Sequence, residues 1–120
     1  MAKHLDVRIR REQGIGIVAT EGDDYINIAG GKLIAAACHQ LLASDVHHLL
    51  VNLRKCNLIN CRSLSFLFEV VERAKAQERQ VAFCSARPAL RKVFQIVEPL
   101  QAAPLYHTER EALCALSKSA

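Results

Sequence analysis

Leu49-Leu50-Val51-Asn52-Leu53 is an apolar run broken only by Asn52. A strand with one wet face alternates polar and apolar side chains. A run without alternation reads instead as a strand covered on both faces, at the centre of a sheet with helices around it. The strand is predicted within Val46 to Leu53.

Upstream, Leu5 to Arg11 alternates, with Leu5, Val7 and Ile9 on one side and Asp6, Arg8 and Arg10 on the other. That pattern predicts a half-buried strand. Glu12-Gln13-Gly14 turns it into a second strand, Ile15 to Thr20, closed by Glu21-Gly22-Asp23-Asp24. Tyr25 to Ala29 alternates again and predicts a third strand, the three forming a meander. Gly30-Gly31 breaks the pattern. Leu33 to Ala43 follows as a helix, with Ile34, Ala37, Cys38 and Leu41 at helical spacing.

Downstream, Arg54 to Ile59 reads as a connection whose Leu58 and Ile59 plug the end of the sheet. A long helix is predicted from Asn60 or Cys61 to about Gln77. Leu64, Leu67, Val71 and Ala74 form its apolar stripe, widened by Phe68 and Val70. Gln80 to Ser85 predicts another strand. Pro88 suits the first turn of a helix carrying Leu90, Val93, Phe94 and Val97, and Pro99 stops it. Ala103 to Tyr106 reads as a short edge strand. Thr108 reads as an N-cap, with Glu111 as its capping-box partner, for a last helix from Glu109 to about Leu116. This order implies a single α/β domain over residues 1–120. It is a mixed sheet, mainly parallel at its centre, with about four helices packed on it.

At 120 residues, 51% hydrophobic and 23% charged, the chain has enough apolar material for one core, and no linker divides it. The net charge of +4 is diffuse, with a small cluster at Lys3, Arg8, Arg10 and Arg11. No basic stripe interleaved with aromatics accompanies it, so nucleic acid is not an expected partner. No signal peptide is expected at the start, and no long apolar run predicts membrane insertion; the expected setting is cytoplasmic. The five cysteines are spread through apolar segments, and their odd number argues against a disulfide framework. They read as small hydrophobes in a reducing compartment.

No metal site is expected. Cys56 and Cys61 have no second pair at zinc spacing, and adjacent His47 and His48 point to opposite faces of a strand, as partly exposed strand-entry residues. Cys61 and Ser63 stand at a helix N-terminus, a place that activates nucleophiles, yet no base or orienting group is near in sequence. Gly14-Ile15-Gly16 and Gly30-Gly31 match neither the dinucleotide nor the phosphate-loop pattern, and Asp23-Asp24 reads as a turn. No catalytic residue or cofactor is therefore expected. What remains is a surface. The loop from Arg54 to Ser63 leaves the carboxyl end of the central strand, where α/β sheets usually do their work. Asn57, Asn60, Cys61, Arg62, Ser63 and Phe66 are its candidate partner-binding residues.

The segment Leu50-Val51-Asn52-Leu53-Arg54-Lys55-Cys56-Asn57-Leu58-Ile59-Asn60-Cys61-Arg62-Ser63-Leu64 resembles the signature of the STAS family, the domains of anti-sigma factor antagonists and of sulfate-transporter tails. In that family a strand ending Asp-Leu-Ser leads, after a few residues, to an apolar residue and Asp-Ser-Ser-Gly-Leu. Asn52 falls at the strand aspartate, Asn60 at the loop aspartate, and Cys61 at the serine phosphorylated by a partner kinase. Arg62 falls at the next serine, Ser63 at the glycine and Leu64 at the leucine. Gly31-Lys32-Leu33 looks like the family's Gly-Arg-Leu.

The resemblance implies a SpoIIAA-like fold and a non-catalytic regulator. Its implied partner is an anti-sigma factor of the serine-kinase type, or another signalling protein. The departures imply that the family switch does not run at Cys61, because both acids are Asn and the phosphoacceptor is a thiol. Ser63 and Ser65 are then the candidate displaced acceptors. Two other readings stand beside this one. One is a small thiol-dependent or redox-sensing protein using Cys61. The other is a homodimer through the edge strand Leu5 to Arg11, against which the arginines on that strand weigh.

Overall fold

The computed structural model describes residues 4–54, 56–97 and 103–118. In chain order the elements are β1 (Asp6–Glu12), β2 (Ile15–Glu21), β3 (Tyr25–Ile26), α1 (Ile28–Leu42), β4 (His48–Asn52), β5 (Leu58–Ile59), α2 (Cys61–Ala76), β6 (Val81–Cys84), α3 (Pro88–Ile96), β7 (Leu105–Tyr106) and α4 (Glu109–Ser117). β4 is buried at every position. It lies between β2 and β6, both parallel to it, with Leu50 opposite Ile17 and Ala82. The sheet runs β1-β2-β4-β6-β7, and only β1 is antiparallel to its neighbour.

Leu49 and Val51 project into the larger core with Val18, Ile34, Leu67, Leu90 and Phe83. Leu50 projects the other way, against Ile15, Ile17, Ala82, Ala112 and Leu116. One strand thus feeds two cores, and that removes polar alternation from its sequence. Each such buried Val, Leu, Ile or Phe contributes roughly 1.5–3 kcal/mol. α1, α2 and α3 cover the first face, and among the described residues α4 covers the second. The mixed α/β sheet and the helices expected from sequence are present.

The β1–β2 hairpin turns at Gln13 (φ 55°) and Gly14 (φ 79°), the left-handed pair that a tight hairpin between twisted strands requires. Asn60 caps α2, Pro88 opens α3, and the Thr108 hydroxyl accepts from Glu111 N at 3.1 Å to open α4. Phe83 meets Phe94 edge-on at 4.8 Å and ties β6 to α3. Lys3, Lys55 and the expected helix stop at Pro99 lie outside the described residues.

Between β2 and β4 the chain departs from the expected meander. β3 stops at Ile26 because Asn27 becomes a helix cap: its Oδ1 accepts from Gly30 N at 2.7 Å. α1 therefore begins at Ile28, not Leu33, and runs through Gly30-Gly31. The second glycine serves contact rather than a turn. A Cβ on Gly31 would lie 2.5 Å from Ser63 Oγ and 2.6 Å from Ser63 Cβ. β3 does not join the main sheet either. It pairs in parallel with β5, Tyr25 opposite Leu58 and Ile26 opposite Ile59. Leu58 and Ile59 are thus a strand rather than a plug, and Leu58 is 55% exposed. His48 is buried, with Nδ1 accepting from Gln80 N, whereas His47 is exposed.

Candidate functional site

The segment between β4 and α2 is held from several sides. Thr20 Oγ1 lies 3.3 Å from the carbonyls of Asn52 and Arg54 and 3.4 Å from Cys56 Sγ. Asn57 N and Leu58 N donate to the Asp24 carbonyl at 2.8 and 3.3 Å, and Asn60 N donates to Ile26 O at 2.8 Å. The β3–β5 ladder thus fixes the entry to α2, and Asn60 completes it. Asn60 Oδ1 accepts from Arg62 N at 2.8 Å, while its Nδ2 donates to the Tyr25 hydroxyl at 3.2 Å. An asparagine can do both at once, because its amide carries an acceptor and donors. Tyr25 is a site residue that alternation had only marked as half of a strand.

Ser63 joins α2 to α1. Its hydroxyl donates to Asn27 O at 2.7 Å, and the same carbonyl accepts from Gly31 N at 2.9 Å. Ser63 is fully buried. Its side chain is therefore absent from the accessible surface, which corrects its place among the docking and acceptor candidates. The glycine contact above explains the burial: α1 and α2 approach so closely at Gly31 and Ser63 that no solvent remains.

Cys61 and Arg62, the first two residues of α2, are exposed, as is Ser65, whose hydroxyl donates to Arg62 O at 2.6 Å. Asn57 and Asn60 are half-buried. Phe66 is half-buried and packs against the main core, with its ring close to Gly31. The accessible rim is therefore Cys61, Arg62 and Ser65, with Leu58 beside them as an apolar residue that sequence had placed inside. The first turn of α2 carries no acidic side chain, so its N-terminal field is offset by no carboxylate of its own.

The exposed thiols are Cys61 and Cys114, and Cys38, Cys56 and Cys84 are buried. Burial pushes the Cys38 thiol up to about 12 and the Cys84 thiol up to about 11, which leaves both protonated and inert. No hydrogen bond to Cys61 Sγ is formed among the described residues. Nor do the described residues bring together three His, Cys, Asp or Glu that could hold a metal ion.

Asn52 lies on the opposite side of the sheet, buried. Its Nδ2 donates to Glu109 Oε1 at 3.0 Å, and Glu109 Oε2 lies 2.8 Å from the Arg10 guanidinium, which also reaches Glu12 at 3.0 Å. An amide suits this position because a carboxylate faces it. An aspartate here would set a buried acid against a half-buried one.

No curated protein matches the chain by sequence. Solved structures do match in fold. An anti-sigma-factor antagonist (STAS) domain protein from Planctomyces limnophilus is 20% identical, over 92% of this chain and 97% of that one, with a TM-score of 0.79. An anti-sigma factor antagonist from Mycobacterium paratuberculosis is 20% identical over 95% of each chain, at 0.80. The anti-sigma factor antagonist SpoIIAA in its unphosphorylated form is 15% identical, over 94% of this chain and 97% of that one, at 0.76. Identities this low speak for the fold alone. The family model of the STAS domain matches residues 6–112, and so the chain belongs to the STAS domain family.

Proposed function

We propose that this chain is a cytoplasmic docking regulator of the anti-sigma factor antagonist kind, without catalysis of its own and without phosphorylation at position 61. The observation that carries this reading is the first turn of α2. An exposed thiol, Cys61, stands there beside exposed Arg62 and behind a neutral cap, Asn60, and by the sequence resemblance it falls at the family's phosphoacceptor position. A family switch places about two negative charges at this helix N-terminus. Here a thiol stands in place of the serine, and a guanidinium stands ready for a partner carboxylate. The surface is therefore read as constitutively competent, with Arg62 as its charged anchor and Leu58 as its apolar one. Of the two displaced acceptors, Ser65 alone has an accessible hydroxyl.

The test is calorimetric titration of an anti-sigma factor kinase encoded in the same genome with the purified chain and with Arg62→Glu. Binding by the parent is expected, weakened about tenfold or more in the variant, equivalent to about 1.4 kcal/mol. Equal affinity for the two chains would move the docking surface elsewhere. The exposure of Cys61 also supports a thiol-sensing reading. That reading requires Cys61→Ser to abolish a response to peroxide in the same titration.

A further inference from the structure

β1 is the outer strand of the sheet, and its register with β2 is continuous from Asp6 opposite Glu21 to Glu12 opposite Ile15, without a bulge. Val7 N–H does not enter that ladder. It is turned outward, where Asp6 Oδ1 accepts from it at 2.8 Å. Strand alternation then turns the backbone groups of Ile9 and Arg11 outward as well. This is a template for another strand.

The edge also carries an apolar strip. Ile9 is 44% exposed, and Leu33 on α1 is 37% exposed. A Cβ on Gly30, near the start of α1, would lie 3.4 Å from Leu5, the residue just before β1. At the far end, Leu41 of α1 lies over Gly16, the partner of Arg11. α1 and β1 therefore run the same way. With rises of about 1.5 and 3.4 Å per residue, Leu33 comes close to level with Val7. Val7, Leu33 and Ile9 then follow one another along the free edge.

Arginines on an edge strand ordinarily discourage pairing. Here two of the three are already balanced, since Arg8 holds Glu21 at 2.7 Å and Arg10 holds Glu12 and Glu109 at 3.0 and 2.8 Å, while Arg11, at the far end, lies 3.9 Å from exposed Asp45. We propose that this edge pairs with a second copy of the chain, antiparallel about a twofold axis at Arg8, to make one sheet across both copies. The axis stands perpendicular to the sheet, so the α1 faces of the two copies lie on one side and opposed residues share a face. Charge and apolarity then select the register. Centred on Ile9, Arg8 would meet Arg10 and Asp6 would meet Glu12, twice each. Centred on Arg10, Ile9 would meet Arg11. Centred on Arg8, Val7 meets Ile9 and Asp6 meets Arg10, twice each. The one like-charged pair is Arg8 with its own copy, and each Arg8 has Glu21 beside it.

This surface is separate from the first turn of α2, so the proposal does not depend on the docking reading. Sedimentation equilibrium of the full chain is expected to show a concentration-dependent shift from one copy to two. Ile9→Lys is expected to abolish the shift while leaving the melting temperature near that of the parent at a dilution where the parent is a single copy, because the residue is on the surface. A Cys61→Ser/Cys114→Ser background removes the exposed thiols. There, Arg8→Cys is expected to form an intermolecular disulfide under mild oxidation, since opposed Cα atoms in a non-hydrogen-bonded pair lie about 4.5 Å apart. Ile9→Cys, offset diagonally from its copy, is expected to cross-link several-fold more slowly. A parent chain that stays single at its highest soluble concentration would overturn the proposal. So would a dimer that survives Ile9→Lys, or faster cross-linking at position 9 than at position 8.

Discussion

Gly31 and Ser63 illustrate how far a single residue's role depends on what faces it. In isolation an alanine at 31 would favour α1 by about 1 kcal/mol over glycine. In place, its Cβ would meet Ser63 Oγ and Cβ at 2.5 and 2.6 Å. The Cβ of Ser63 is fixed to the α2 backbone and cannot swing aside, and forced overpacking typically costs about 1–3 kcal/mol. Gly31→Ala is therefore expected to lose about 1 kcal/mol net in urea denaturation. Combined with Ser63→Gly it is expected to lose less than the two single changes summed; strict additivity would contradict the contact. The sequence pattern read Gly30-Gly31 as a break because glycine is the usual breaker. Asn27 as a cap was hidden for a related reason: the residue three places on is Gly30, not the Glu or Gln of a capping box. Thr108 was legible because Glu111 follows it at that spacing. Cys61 and Arg62 were named from the loop at the carboxyl end of the central strand, although Cys61 was also read as a small hydrophobe and is exposed, whereas the burial of Ser63 follows only from the approach of α1.

At the scale of elements, β1, β4 and α2 were each readable from periodicity. β3 and β5 were not. Each is two residues long, and each is a strand only because the other pairs with it across the chain, Tyr25 with Leu58 and Ile26 with Ile59. No local pattern carries that pairing, so Leu58 was placed inside and is 55% exposed. α4 offers a test at this scale, because Glu109 at its start ties it to β1 through Arg10 and to β4 through Asn52. Burial pushes the Glu109 carboxyl up, but the hydrogen bonds from Arg10 and Asn52 outweigh it and hold the group below its ordinary value of 4.5. A carboxyl whose pKa is lower folded than unfolded stabilises the fold above the unfolded value. That contribution is lost as pH falls through the folded one. Stability measured by urea denaturation is expected to fall more steeply below pH 4.5 for the parent than for Glu109→Gln. Parallel curves would show that the tether is not electrostatic. Exposed Arg10–Glu12 geometry adds little by comparison.

For the molecule as a whole, the doubly covered β4 determines the architecture, and the carboxyl end of that strand delivers the chain to the first turn of α2. The order of strands and helices was legible because buried parallel strands and right-handed crossovers leave few arrangements. The site was legible as a place but not as a set of contacts, since Tyr25, Asn27 and Leu58 reach it from residues that sequence assigned elsewhere. The central claim is that this first turn is a constitutively competent docking surface, one that phosphorylation by the partner does not switch off. Its most direct test is to form the complex with the anti-sigma factor kinase, add ATP and magnesium, and follow both the intact mass of the chain and the fraction bound. The expected result is an unchanged mass and an undiminished complex. A phosphate added to the chain, on Ser65 or any other residue, with release of the partner would contradict it.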